Sequence, residues 1–246
     1  MAVGMKVRLP ISRNVVAMLW QGFERWFFGL KHFKPCPSQD PMLFLAWIIA
    51  VLVTISVHEF SHALVATALG DPTPERQGRL TLDPRAHIDP FGLIMLVVIG
   101  FGWGKPVEFN PYNIRQRFGG ALVALAGPTS NVVSALVAGA ALIMLVRVFG
   151  FSTDALLIQF FSLLVTLNAM LAVFNLIPIP PLDGSKLWLE IFSAPHHATL
   201  RHWIERHGQM LLFVLILLDI LTPYSVFSGL FAHVRDITDR LLNFFL

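Results

Sequence analysis

VLVTISVHEFSHALVATAL, residues 51–69, sets three ionisable side chains, His58, Glu59 and His62, inside an apolar run that begins near Leu43. Ionisable groups at membrane depth are costly and by default mark a functional site. An α-helix advances about 1.5 Å and 100° per residue, so His58 and His62, four apart, share one face roughly 6 Å from each other. That spacing suits two imidazoles on one metal ion, with Glu59 beside the ion rather than on it, where a carboxylate takes a proton from water. In a soluble amphipathic helix the HExxH pattern would read as a polar stripe. Here LFLAWIIAVLVTISV before it and ALVATAL after it leave no solvated face, which favours the metal reading.

Of the 246 residues, 55% are hydrophobic and 13% charged, with a mean hydropathy of +0.67. Several apolar runs approach the roughly 20 residues needed to cross a bilayer. The expected fold class is an α-helical integral membrane protein. We expect a bundle of about four to five transmembrane helices with a re-entrant segment and short membrane-associated strands. A net charge of +3 is too small to argue for nucleic acid. Cys36 is the only cysteine, which excludes an intrachain disulfide and a cysteine-based zinc site. Residues 1–13 are polar and basic, and the next apolar run is broken by Glu24 and Arg25, so no cleavable signal peptide is expected.

Three regions follow. Residues 1–41 hold an interfacial helix or short first span over 15–30 and a proline-rich linker; 42–187 form the catalytic transmembrane core; 188–246 form an amphipathic connection, a final span and an interfacial tail. The first confident span covers 42–69 and is stopped by Gly70, Asp71 and Pro72. The polar connection to residue 90 is expected not to be helical, given prolines at 72, 74, 84 and 90. Residues 91–103 are apolar for only about half a crossing, which suggests a segment that enters the membrane and returns. Pro106, Val107, Glu108, Phe109 and Asn110 favour extended backbone, read as a strand packed in the bundle or else as a surface loop.

The second span, 120–146, presents small residues at helix-packing spacings, and Gly127 and Pro128 are expected to kink or loosen it. Asn131, one turn on, either pins two helices or belongs to the site. The third span, 155–176, ends in NLIPIPPLDGSK, whose prolines require the chain to unwind between residues 175 and 184. Asp183 lies there, on the side where the first span exits, and is the natural third ligand beside His58 and His62; otherwise it makes an Asp-Gly turn. His196, His197, His202 and His207 read as a basic interface segment, and Asp219 has no evident partner. Basic residues over 70–118 and 186–207, against almost none near 150–154, place the site toward the cytoplasm of a multi-pass inner-membrane protein.

HEFSH, AGPTSN and NLIPIPPLDG, in this order, resemble the site-2 protease family of intramembrane zinc metalloproteases. RLTLDPRAHIDPFG and GFGWGKPVEFNPYN resemble its compact prokaryotic branch without a PDZ domain. The resemblance implies one zinc per chain on His58, His62 and Asp183, with Glu59 as the catalytic carboxylate. It implies that Asn175 helps polarise the scissile carbonyl, with Asn131 a weaker candidate, and that the stretch from Pro106 to Asn110 pairs with an unwound substrate. Partners would be single-span membrane proteins as substrates and the lipid bilayer, with no nucleic acid; a homo-oligomer stays open. Competing classes are a zinc transporter or sensor, which needs no carboxylate off the metal, and a protease of prenylated C-termini, whose glutamate ligand would here have to be Glu190.

Overall fold

A computed structural model describes residues 40–99, 102–191, 198–221 and 227–245. The expected helix over 15–30 and the His196–His197 pair lie outside these residues. Among the described residues the regular elements are helices: α1 (Pro41–Ala68), α2 (Thr73–Arg76), α3 (Pro84–His87), α4 (Pro90–Ile99), α5 (Gly119–Arg147), α6 (Leu156–Asn175), α7 (Asp183–Ile191), α8 (Ala198–Leu221) and α9 (Phe227–Phe245).

Three of these, α1, α5 and α6, are long and apolar enough to cross a membrane. The expected count of about four to five also drew on 15–30 and on a final span through 222–226, which lie outside the described residues. The sequence reading divided 188–221 into a connection and a span. The structure instead runs one helix from Ala198 to Leu221, and its first half carries Arg201, His202, Glu205, Arg206 and His207. The polar connection after α1 likewise contains two one-turn helices, α2 and α3, each with a proline at its start, where the missing N–H costs nothing.

Helix α1 begins where Asp40 Oδ1 accepts from the Met42 and Leu43 amides, both at 3.0 Å, with Pro41 next to the cap. It ends at Gly70, whose φ of +105° lies where a side chain would strain the backbone. Trp47 and Ala50 of α1 are fully buried against Leu163, Leu167, Met170 and Phe174 of α6. Phe227 and Phe231 of α9 close this core, with ring centroids 5.9 and 5.8 Å from Phe174. Helix α5 turns Ala121, Ala124, Gly127, Pro128, Asn131 and Ala138 inward and leaves Leu122, Val132, Val133, Leu136 and Val137 exposed. Small residues let the helix backbones approach, and the large ones face the apolar solvent of a bilayer. The helix continues through Pro128 as one element.

After α4 the chain doubles back, with Gly92 packed on the backbone of Trp103. The strand expected over 106–110 is absent: among the described residues no strand forms, and the only pairing nearby is an isolated bridge between Ile88 and Gly104. Asn110 there has extended backbone, with φ −101° and ψ 106°, but Pro106 has no N–H to offer a ladder. The amides of this stretch go to side chains: Val107 N–H donates to Glu59 Oε2 at 2.9 Å, and Asn110 N–H to Asp71 Oδ2 at 2.6 Å. Asp219 does have a partner, since the Phe227 amide donates to its Oδ1 at 3.3 Å.

The polar pin between spans is Asn168, whose Nδ2 donates to Thr54 Oγ1 at 3.0 Å and to the Leu164 carbonyl at 2.8 Å. Interhelical bonds of this kind contribute about 0.6–1.7 kcal/mol in a membrane. Thr54→Val should therefore destabilise the bundle by about 1 kcal/mol in reversible unfolding, because Asn168 keeps its second acceptor.

Candidate metal centre

The geometry of α1 puts His58 and His62 on one face, with ring centroids 4.7 Å apart and near-perpendicular planes. Asp183 arrives from the opposite direction as the first residue of α7, after residues 176–182 carry the chain away from the end of α6. It therefore sits at a helix start rather than within the unwound stretch. All three residues are buried. His58 Nε2, His62 Nε2 and Asp183 Oδ2 form a near-equilateral triangle, with edges of 3.1, 3.1 and 3.0 Å.

This triangle can be tested against an ion. Zinc bonds of about 2.0–2.1 Å in a tetrahedron put neighbouring ligand atoms about 3.3 Å apart. The observed edges fall within a few tenths of an ångström of that, and three ligands leave a fourth position for water or substrate. The tautomer is also suitable. His62 Nδ1 lies 2.7 Å from the Val123 carbonyl, so Nδ1 carries the proton and Nε2 presents its lone pair to the centre. Space is held open by Gly127 of α5: a Cβ there would lie 2.6 Å from His58 Nε2 and closer still to His62 Nε2.

Lys186, three residues along α7, holds the other Asp183 oxygen, its Nζ donating to Oδ1 at 3.1 Å. Glu59 is half-buried beside the triangle and outside the candidate ligand group. Asn131 is fully buried, and neither its amide nitrogen nor its oxygen has a hydrogen-bond partner. Asn175 ends α6 with Nδ2 donating to the Leu171 carbonyl at 3.1 Å, a bond within its own helix.

Residues 143–218 match Peptidase family M50. The chain is 40% identical over 205 residues to the protein named "Putative zinc metalloprotease YwhC" of Bacillus subtilis (strain 168), covering 80% of this chain and 90% of that one. This chain belongs to peptidase family M50. It is also 33% identical over 183 residues to "Putative zinc metalloprotease Rip2" of Mycolicibacterium smegmatis, covering 71% of this chain and 67% of the relative. No solved structure matches the chain.

Beyond the residues read from the M50-like motifs, the structure adds Gly127, Lys186 and the Val123 carbonyl. Gly127 looked like a packing or kink residue, and nothing in the sequence said that it lay across from the imidazoles. Lys186 had a signal, since it stands one turn after Asp183, but only if the helix starts at Asp183. Gly127→Ala should abolish metal retention, read as zinc per chain after purification. The overpacking cost of about 1–3 kcal/mol is partly offset by alanine's advantage of about 1 kcal/mol over glycine within a helix, so stability should fall by no more than about 2 kcal/mol.

Proposed function

We propose that this chain is an intramembrane zinc endopeptidase that hydrolyses peptide bonds in single-span membrane proteins and acts in regulated intramembrane proteolysis. The observation that carries the reading is the ligand triangle of His58, His62 and Asp183 built between helices long and apolar enough to span a bilayer, with Glu59 alongside. Zinc, when bound there, supplies a Lewis acid that polarises a peptide carbonyl and activates water.

The chain's own residues supply the rest. Glu59, adjacent to a ligand yet free of the triangle, accepts the proton of the attacking water and delivers it to the leaving amine. A positioned general base contributes about 10²–10⁴-fold. The buried amide of Asn131 has unmet hydrogen-bonding capacity one turn from Gly127, which suits it to meet charge developing on a carbonyl oxygen. Asn175 serves the same end once its amide turns from its own helix toward the substrate. Pro106 to Asn110 offer a backbone outside any ladder, its Val107 and Asn110 amides held by Glu59 and Asp71. A substrate helix must unwind before cleavage, and adding to such an edge holds it extended. The basic residues of 70–118 and 186–207 set this face toward the cytoplasm.

Glu59→Gln should keep zinc and stop turnover, so that small single-span proteins accumulate in quantitative proteomics of membranes expressing it. An unchanged membrane proteome would remove Glu59 from the mechanism. Asp183→Ala should lower zinc affinity by at least about 100-fold in chelator competition, as expected when one of three ligands is lost. Zinc retained at wild-type affinity would send the search for the third ligand elsewhere.

A further inference from the structure

Asp71 terminates α1 in the sequence reading, but the structure gives its side chain a larger task. The carboxylate is fully buried and collects four donors. Oδ1 accepts from the Thr73 amide at 3.1 Å, the Thr73 hydroxyl at 2.6 Å and Asn113 Nδ2 at 2.7 Å, and Oδ2 accepts from the Asn110 amide at 2.6 Å. Burial pushes the Asp71 carboxyl up, and these hydrogen bonds, with that from Asn113 foremost, outweigh it and hold the group below the usual carboxylate range.

Two of those donors belong to the segment that also reaches Glu59. The segment runs beside α1 in the same direction. Gly104 packs on Ile55, the Val107 amide meets Glu59, and Asn110 and Asn113 meet Asp71. Even stretched out, the segment falls short of α1 and its terminus by about 4 Å, which the Asp71 side chain reaches across. From residue 55 to 71, α1 and its terminus cover about 24 Å at 1.5 Å per residue, and residues 104 to 110 cover about 20 Å at 3.3 Å per residue. At its near end the segment is held by the Lys105 amide donating to the His87 carbonyl at 2.7 Å. Asp71 is its anchor at the far end, and Val107 lies between the two anchors.

We infer that Asp71 is a positioning residue for Glu59: it fixes segment 104–113 in register along α1, so that the Val107 amide orients the Glu59 carboxylate and the free edge of the segment lies at a set distance from it. This rests on the reading of Glu59 as proton acceptor. With the anchor lost, the Val107 amide drifts, one Glu59 oxygen loses its donor, and the substrate edge loses its register with the metal centre. Asparagine cannot replace Asp71, because every partner in place is a donor and the new NH2 must face one of them.

The test uses the full-length chain loaded with zinc. In Asp71→Asn, hydrogen exchange at the Val107 and Asn110 amides should speed by at least about tenfold, with α1 amides near His58 and zinc content unchanged. In membranes, the single-span proteins that accumulate with Glu59→Gln should turn over at least about tenfold more slowly than with the wild-type chain. Combining Asp71→Asn with Asn113→Asp restores a donor–acceptor pair between the two positions but leaves the Thr73 amide facing the new NH2, so both readouts should move back toward wild type without reaching it. Wild-type exchange at Val107 overturns the inference. Loss of zinc in Asp71→Asn does so too, since Asp71 would then be holding α1 itself. If Glu59→Gln spares cleavage, the role of Glu59 fails separately, and the exchange data still decide whether Asp71 sets the position of Val107.

Discussion

Three polar side chains from two separate helices meet at one buried point, and nearly every unusual residue around them answers the cost of that meeting. In a low-dielectric interior an unpaired carboxylate or a wrongly protonated imidazole is expensive, and two of the three groups have a second partner that fixes their state, whereas His58 Nδ1 is buried without one. His62 has the Val123 carbonyl, and Asp183 has Lys186 on its outer oxygen. Gly127 keeps the α5 backbone from filling the space that the ring nitrogens face. A site of this kind constrains its neighbours more than its ligands suggest, because the ligands are only as precise as the shell holding them.

Helix α1 is the spine on which these demands are registered. Along its length it presents Trp47 to the core, Thr54 to Asn168 of α6, the two histidines to Asp183, and Glu59 to the Val107 amide. Asp71, just beyond its end, closes the series on Asn110 and Asn113. A rigid helix converts sequence spacing into distance, so one element can address the core, the ligands and the extended segment without any of them adjusting independently.

The division of labour in α5 is of another kind. Apart from Val123 and Leu142 its inner face is small, and its outer face is large and apolar, the reverse of a soluble core helix. With lipid as solvent there is little gain in hiding large apolar groups between helices, and close backbone approach takes over as the packing term. That approach is what brings Gly127 to the imidazoles.

Sequence alone determined the helical membrane class, the three long spans and the i to i+4 pair of His58 and His62, because those signals are local: apolar run length and helical spacing. It divided α8 in two, since a polar half-helix and an apolar half-helix read as separate elements although the helix is continuous. It also expected a strand over residues 106–110, because residues suited to extended backbone do not reveal whether a backbone or a side chain receives their amides. Only the tertiary structure could put Gly127 against the histidines, Val107 on the Glu59 carboxylate of α1, and Asn110 on Asp71 just beyond its end. Those contacts join residues tens of positions apart, and their partners are chosen by packing geometry, which no local pattern in the chain encodes.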